Sequence, residues 1–450
     1  MSRERAAKHE KQGTPRWRRA RGCAARVVVL LALPACSSSG TAGDAAVAID
    51  APQDARPQPA DVLIDALPVD AADAHVATMP EASVDVPPDQ PVTSEDARVV
   101  QLSSGEGHTC ALQARGTVYC WGSNGNGQLG DGTTRTMRPA PVRVQGLDDA
   151  TQIAVGGLFT CALRRSGAVS CWGSNVNGEL GAGVMGADRP TPMPVAGADQ
   201  VTQLAAGSGH TCALRRDETV LCWGWNRFAQ VGDGSVGGVR RPAAVAGLSS
   251  VVQLDAGSSH TCARRRDGSL LCWGFNEGGQ IGDGTRGDLA IRPRPTAVMG
   301  LRDVLEVAAG ATRSAARTAP DTVWVWGRNE TPSRTDEPTP LPTRFGSFSG
   351  VVQLAPSSSF TCVRLASGRV SCWGRGGLGA LGNGSDRDQL APTEVVMLDD
   401  AVELAAGHHH VCARKRDGSL VCWGSNSNGA LGGGSTVRQS LVPVAVLPAP

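Results

Sequence analysis

Short apolar runs of four to seven residues, cut by Gly, Asn-Gly or Asp-Gly turns, recur from residue 98 to the end of the chain. Such runs are typical of short antiparallel strands joined by tight turns. None of the recurring units contains an amphipathic stretch of helical length. The pattern therefore predicts an all-β protein.

The pattern returns at intervals of 47 to 53 residues and divides residues 98–450 into seven units. Aligned on one position, the units are marked by Cys110, Cys161, Cys212, Cys262, Ala315, Cys362 and Cys412. A unit of this size cannot bury both faces of a sheet alone, so the units must stack. Closing the stack into a ring removes its exposed edges. We expect Val99 to Leu102 and Leu441 to Leu447 to share one blade and close the ring.

Several motifs return in the units: a strand ending in Ala-Ala-Gly, a His-Thr-x-Ala-Leu segment, a hairpin ending in Trp-Gly and an Asn-x-x-Gly-Gln-Leu-Gly turn. Examples are Gly207, His210-Thr211, Ala213-Leu214, Trp121-Gly122 and Asn124 to Gly130. These motifs resemble the regulator-of-chromosome-condensation repeat family, over about four fifths of the chain. The resemblance implies a seven-bladed β-propeller with four short antiparallel strands in each blade.

Twelve of the 14 Cys residues form six pairs whose members are ten residues apart. The pairs are Cys110 and Cys120, Cys161 and Cys171, Cys212 and Cys222, Cys262 and Cys272, Cys362 and Cys372, and Cys412 and Cys422. A three-residue loop at 266–268 places Cys262 opposite Cys272, with Cα atoms about 4.5 Å apart. The fifth unit lacks both thiols, with Ala315 and Val325 at these positions. We predict six cross-strand disulfides; reduced buried Cys and metal binding remain alternatives, although this is not a zinc spacing.

The N-terminus is predicted to be an export segment over residues 1–36. Basic residues precede an apolar run from Val27 to Leu33, which is far shorter than the roughly 20 residues of a membrane-spanning helix. The following Leu-Pro-Ala-Cys resembles the lipobox of bacterial lipoproteins and implies acylation of Cys36. An ordinary signal peptide with a chance Cys is the alternative. We expect a lipid-anchored protein at the outer membrane or cell surface, or else a secreted or periplasmic one.

Residues 37–97 are predicted to be a disordered acidic tether. They hold ten Asp, eight Pro and no aromatic residue, and their net charge is −11. Such a segment cannot bury enough apolar surface to offset chain entropy. The remaining residues, 98–450, carry a net charge of +5 although the whole chain is near neutral at +1.

One repeat position carries His in four units and other residues in three. These are His108, His210, His260 and His410, against Phe159, Arg313 and Phe360. A metal ligand would not be replaced by Phe, so we expect packing between strands at this position. The chain also lacks a nucleophile elbow, a phosphate-binding loop, a zinc-protease motif and an EF-hand. We therefore predict no catalytic residues, no metal and no cofactor.

An aromatic group breaks the repeat symmetry in the third and fourth units. It comprises the aromatic residues Trp225, Phe228 and Phe275 together with Arg227, which lies among them in the sequence, and the fifth unit adds Trp324. The first unit has Ser and Asn where the third has Trp225 and Phe228. Exposed Trp, Phe and Arg are typical of protein-binding hot spots. Repacking beside the irregular fifth unit is the alternative explanation.

Basic residues at the hairpin tips, among them Arg165, Arg216 and Arg265, form a second candidate surface. Since every blade presents its hairpin at the same place, these residues should form a ring on one side of the disc. A basic ring would attract an anionic partner. Solvated tips, softened by Asp217, Asp267 and Asp417, are the alternative.

Together these features predict an extracytoplasmic binding or scaffold propeller that recognises a protein or anionic glycan at the cell envelope. We expect a monomer that touches the membrane only through its lipid and does not bind nucleic acid. The alternative is an inhibitor of an extracytoplasmic enzyme, because the resembling family includes a β-lactamase inhibitor protein. An enzyme is among the least favoured because the sequence shows no converging set of catalytic residues. A guanine-nucleotide exchange factor, the family's namesake role, is least favoured because export separates the chain from cytosolic partners.

Overall fold

The computed structural model describes residues 95–134, 137–287, 290–318, 321–328, 338–435 and 437–447. The predicted export segment with Cys36 and the predicted tether up to residue 94 lie outside these residues. The described chain forms seven four-stranded antiparallel sheets, the blades of a propeller. The predicted all-β, seven-bladed fold is confirmed. In the described ranges, no helix has the length and apolar character needed to cross a bilayer.

The first four blades follow the chain in order. Blade 1 contains β1 (Val99–Ser104), β2 (His108–Gln113), β3 (Val118–Gly122) and β4 (Arg138–Arg143). Blade 2 contains β5 (Ala150–Val155), β6 (Phe159–Arg164), β7 (Val169–Asn175) and β8 (Gly186–Pro194). Blade 3 contains β9 (Val201–Ala206), β10 (His210–Arg215), β11 (Val220–Gly224) and β12 (Val239–Ala244). Blade 4 contains β13 (Val251–Ala256), β14 (His260–Arg265), β15 (Leu270–Phe275) and β16 (Ile291–Ala297).

The last three blades complete the ring. Blade 5 contains β17 (Val304–Ala309), β18 (Arg313–Thr318), β19 (Thr322–Gly327) and β20 (Thr339–Arg344). Blade 6 contains β21 (Val351–Pro356), β22 (Phe360–Leu365), β23 (Val370–Gly374) and β24 (Gln389–Glu394), with one short 3₁₀ turn at Gly377–Gly379. Blade 7 contains β25 (Ala401–Ala406), β26 (His410–Lys415), β27 (Leu420–Ser425) and β28 (Gln439–Ala445).

The ring closes differently from the sequence expectation. Strand β1 belongs to blade 1 and β28 to blade 7, so the expected shared blade is wrong. Every unit already supplies the four strands of its own sheet, and no strand is left to exchange. Blade 7 instead packs against blade 1, where the Leu102 backbone N–H donates to Glu403 Oε1 at 3.0 Å.

The first strand of each blade lines a central channel, and a belt of Gln and Glu joins these innermost strands. The belt residues share the third position of their strands: Gln101, Gln152, Gln203, Gln253, Glu306, Gln353 and Glu403. The amide of Gln203 donates to Leu254 O at 3.0 Å and accepts from Leu254 N at 2.9 Å. A Glu accepts only the N–H, as Glu306 does from Leu354 at 2.8 Å. Each blade is thereby bonded to the next.

We expect Gln203→Ala to lower the free energy of unfolding by about 2–3 kcal/mol, because it removes the partner of one backbone donor and one backbone acceptor. The measurement is urea unfolding followed by circular dichroism. Gln145→Ala is the control, since this exposed side chain makes one hydrogen bond, to Asp131 O at 2.8 Å. Equal losses in the two variants would contradict a structural role for the belt.

The six predicted disulfides are present in the predicted pairs. The two Cα atoms of each pair are 4.1 Å apart. In blade 5, Ala315 lies opposite Val325 in the same register, so two apolar side chains occupy the place of the bridge. The hairpin register therefore determines the pairing.

The Trp repeated in every blade is buried. Trp172 Nε1 donates to Gln128 O at 2.9 Å, and Gln128 belongs to the preceding blade. Gly130 has φ of +70°, and a Cβ at this position would lie 2.7 Å from Trp172 Nε1. The Gly-Gln-Leu-Gly turn is thus shaped to receive the Trp of the next blade.

Candidate partner-binding surfaces

The two faces of the propeller differ in the turns that form them. Turns such as 207–209 and long connections such as 225–238 lie on one face, which we call the loop face. Hairpins such as 216–219 and connections such as 245–250 lie on the other, the hairpin face. A six-residue strand separates the two by about 17 Å.

The structure brings Trp225, Arg227, Phe228 and Phe275 together on the loop face, across blades 3 and 4. The ring centroids of Trp225 and Phe228 are 5.3 Å apart in an edge-to-face arrangement. Those of Phe228 and Phe275 are 4.5 Å apart, and Arg227 Cζ lies 6.0 Å from the Phe228 centroid. The three rings are half-buried and Arg227 is exposed. We call these four residues the aromatic patch.

The backbone beneath the aromatic patch is held by buried polar contacts. Asn226 Nδ2 donates to Ser235 O at 3.1 Å, and Asn226 Oδ1 accepts from Val231 N at 2.9 Å. The Trp225 N–H donates to Gly209 O at 2.7 Å. The aromatic side chains therefore stand on a preorganised turn, which lowers the entropy cost of binding.

Trp324 is not part of the aromatic patch. Its Nε1 donates to Thr318 Oγ1 at 3.0 Å within its own blade, and its ring packs against the core between blades 4 and 5. Phe345 and Phe348, which sequence reasoning did not single out, cover Trp373, with a centroid distance of 4.6 Å for Phe345. The aromatic residues of blade 5 thus serve packing.

The predicted Arg165, Arg216 and Arg265 lie on the hairpin face, so they and the aromatic patch do not form one surface. Arg165 and Arg216 are exposed, and Arg265 is half-buried. Acidic side chains stand between the basic tips. Ion pairs among the described residues of this face include Arg164 with Asp149, Arg215 with Asp217, Arg266 with Glu218, and Lys415 with Asp400. The predicted ring is therefore of mixed sign rather than uniformly basic.

Asp217 shows how the acidic residues of the tips stay ionised. Its Oδ1 accepts from Thr219 Oγ1 at 2.6 Å and from Thr219 N at 3.1 Å. These hydrogen bonds, with the nearby Arg215, lower the pKa of Asp217 below its ordinary value. The tip charge is thus partly neutralised at neutral pH.

The His at the shared repeat position links neighbouring blades. His210 Nε2 lies 2.8 Å from Thr261 Oγ1, which itself donates to Gln230 O at 2.9 Å. The hydroxyl therefore accepts from His210 Nε2–H. Burial lowers the pKa of His210 to about 3, so the ring is neutral at physiological pH. In the part of the chain that the structure describes, no three His, Cys, Asp or Glu side chains converge as a metal site.

The sevenfold ring of four-stranded blades and its repeat motifs define a propeller of the regulator-of-chromosome-condensation class. The chain belongs to the RCC1-like domain family, whose pattern matches residues 66–334, more than half of the chain. The regulator of chromosome condensation (RCC1) repeat matches residues 367–414 and, in a second form, residues 401–430.

Curated relatives share parts of the chain. The ultraviolet-B receptor UVR8 of Arabidopsis thaliana is 29% identical over 306 residues, which are 66% of this chain and 69% of that protein. The mitochondrial RCC1 domain-containing protein RUG3 of Arabidopsis thaliana is 34% identical over 151 residues, 32% of this chain and 34% of the relative. The probable E3 ubiquitin-protein ligase HERC6 of Homo sapiens is 33% identical over 153 residues, 32% of this chain and 15% of the relative. The chain thus spans about a third or less of the latter two.

Solved structures share the fold. Yeast RCC1, in its complex with Kap60, superimposes with a TM-score of 0.66 at 22% identity, covering 78% of this chain and 86% of that one. Human WBSCR16 superimposes with a TM-score of 0.65 at 24% identity, covering 74% of this chain and 94% of that one.

Proposed function

We propose that this chain is a non-enzymatic binding propeller whose aromatic patch contacts a protein partner. The observation that carries the proposal is the set of three half-exposed rings on the loop face, in which Phe228 packs against both Trp225 and Phe275. Blade 1 has Ser123 and Asn126 at the positions of Trp225 and Phe228, so the fold does not require aromatic residues there. Trp, Phe and Arg in a rigid setting are typical of hot spots.

The structural relatives support a protein ligand. Yeast RCC1 (Prp20) was crystallised bound to the protein Kap60. A structure of the same protein, Prp20p of Saccharomyces cerevisiae, is described together with its binding properties to Gsp1p and histones. Protein recognition is therefore the use of the fold that we carry over to this chain.

The proposed site of action is outside the cytoplasm, at the outer membrane or cell surface through Cys36, or else in the periplasm or medium. Six disulfides in one domain support this placement, because reducing compartments keep thiols free. A thiol count on the protein isolated from its native cells tests it. Six oxidised pairs support the placement, and twelve free thiols in the repeats contradict it.

We expect the double variant Trp225→Ala and Phe228→Ala to lose partner binding, by about thirtyfold or more, because truncating a hot spot costs about 2 kcal/mol or more. The full chain serves as bait for native envelope material. The retained protein is identified by mass spectrometry, and its affinity for each variant is then measured by biolayer interferometry.

The matched control changes Arg165 and Arg216 to Ala on the hairpin face. Loss of binding in the aromatic variant alone places the partner on the loop face. If the aromatic variant binds as tightly as the native chain, the aromatic patch is packing and the proposed site is wrong. Both variants should retain the native unfolding midpoint.

A further inference from the structure

An arc of arginines lies near the hairpin-face mouth of the central channel. Blades 4 to 7 carry Arg at the position of the second strand where blades 1 to 3 carry Leu. The residues are Arg264, Arg317, Arg364 and Arg414, against Leu112, Leu163 and Leu214. Each Arg lies directly opposite the belt residue of its own blade. We call these four side chains the arginine arc.

Two members of the arginine arc have a carboxylate partner in the belt. Arg317 Nε lies 3.1 Å from Glu306 Oε2, and the corresponding distance from Arg414 to Glu403 is 2.9 Å. These pairs are largely buried, with Arg side chains only 18% and 17% exposed.

The other two members face an amide. Arg264 Nε donates to Gln253 Oε1 at 3.3 Å, and Arg364 Nε donates to Gln353 Oε1 at 3.4 Å. The arc thus holds four cations and two belt carboxylates. A third channel carboxylate, Asp255, is already engaged by backbone N–H groups of two neighbouring strands.

The excess positive charge is partly desolvated. Burial lowers the pKa of Arg264, and no neighbouring carboxylate opposes that shift. Burial also lowers the pKa of Arg364, where Glu306 and Glu403 oppose it. A half-buried cation without a full counter-charge gains from an arriving anion more than an exposed cation does.

Aliphatic side chains lie beside this charge. Arg264 and Arg317 line an open cavity of about 640 Å³ together with Val252, Leu305 and Val352. Leu305 is 47% exposed and Val352 37% exposed. A guanidinium fork matches a carboxylate, and the exposed aliphatic surface favours a ligand with apolar side chains over a fully hydrated sugar.

We propose that the arginine arc is a second binding site, for an acidic peptide segment in which aliphatic residues stand next to carboxylates. The site lies on the hairpin side, away from the aromatic patch, and is independent of the proposed function. The charges of the hairpin tips are of mixed sign, whereas Arg264 and Arg364 of the arginine arc face amides rather than carboxylates.

The test uses the full chain and a fluorescein-labelled heptapeptide of alternating Asp and Leu, followed by anisotropy. We expect the native chain to bind this peptide, with affinity that falls as salt rises, and to bind the Asn and Leu analogue at least tenfold more weakly. The double variant Arg264→Leu and Arg364→Leu should bind about thirtyfold more weakly or worse. Leu is the residue of blades 1 to 3 here, and an unchanged unfolding midpoint confirms that the variant folds.

Two further arms separate this site from the others. Two double variants should bind the heptapeptide as the native chain does. One carries Trp225→Ala and Phe228→Ala in the aromatic patch, and the other carries Arg165→Ala and Arg216→Ala at the hairpin tips. Equal binding of the Asn analogue, native-like binding by the arc variant, or a loss confined to the tip variant would overturn the proposal. Binding of a sulfated disaccharide without binding of the peptide would also overturn it.

Discussion

Reduction of the six disulfides is expected to unfold the propeller at moderate temperature. Each bridge closes a loop of about ten residues and contributes about 2–3 kcal/mol in the chain-entropy account. Six such terms exceed about 10 kcal/mol, which is comparable with the whole stability of a typical domain. The measurement is the urea midpoint with and without a reductant.

Blade 5 supplies the matched variant. The double variant Cys262→Ala and Cys272→Val gives blade 4 the Ala and Val pair that blade 5 carries at Ala315 and Val325. It should lower the free energy of unfolding by about 2–3 kcal/mol without leaving a large cavity. The converse variant, Ala315→Cys and Val325→Cys, should raise it by a similar amount. A midpoint that does not move with reductant would contradict the prediction.

The fold and the disulfides were predictable because both follow from local pattern. A Gly-containing hairpin loop determines which residues lie opposite each other, so Cys262 and Cys272 meet once the loop is recognised. Ring closure was not predictable in this way. It depends on whether the unit boundary falls between sheets or inside one, and the repeat spacing is the same in both cases.

Part of the candidate site was also predictable. Trp225 and Phe275 occupy the same position in adjacent blades, so repeat alignment already placed them side by side, and Phe228 lies between them. The arginine arc was missed because the basic residues near the hairpins, such as Arg265 next to Arg264, were expected to lie at the tips. Side chains alternate along a strand with a period of two residues. Applied to β14, this period could have shown that Arg264 lies in the strand, opposite the belt, and Arg266 in the turn. The belt itself was visible as a polar residue repeated in otherwise apolar strands.

Acid is expected to destabilise the propeller through its four buried His residues. Burial lowers the pKa of His108 and His210 to about 3 and that of His260 and His410 to about 4. In the unfolded chain these rings titrate near 6.5. Below that pH the unfolded chain binds protons that the folded chain does not, so the free energy of unfolding falls as pH falls. Each His should cost about 2 kcal/mol by pH 5.

Three largely buried carboxyl groups oppose this trend, because burial raises the pKa of Glu306 and Glu403 as well as that of Asp255. Burial raises the pKa of Asp255 to about 6, so the folded chain binds this proton before the unfolded chain does. The stability linked to Asp255 is therefore present at low pH and is lost as pH rises through about 6. Three carboxyl groups against four rings still leave the His residues dominant between pH 6.5 and 5.

Two variants should change the pH dependence in opposite directions. His260→Phe reproduces the buried Phe159 and Phe360 of blades 2 and 6. It should reduce the slope of the free energy of unfolding against pH by the equivalent of one bound proton. Ser314, the partner of His260, keeps its hydrogen bond to Gln280 O at 2.9 Å. Asp255→Ala should increase the same slope by the equivalent of about one bound proton. Urea unfolding at a series of pH values between 7.5 and 5 measures both slopes. A native midpoint independent of pH, or slopes that change in the same direction, would show that burial does not keep these rings neutral.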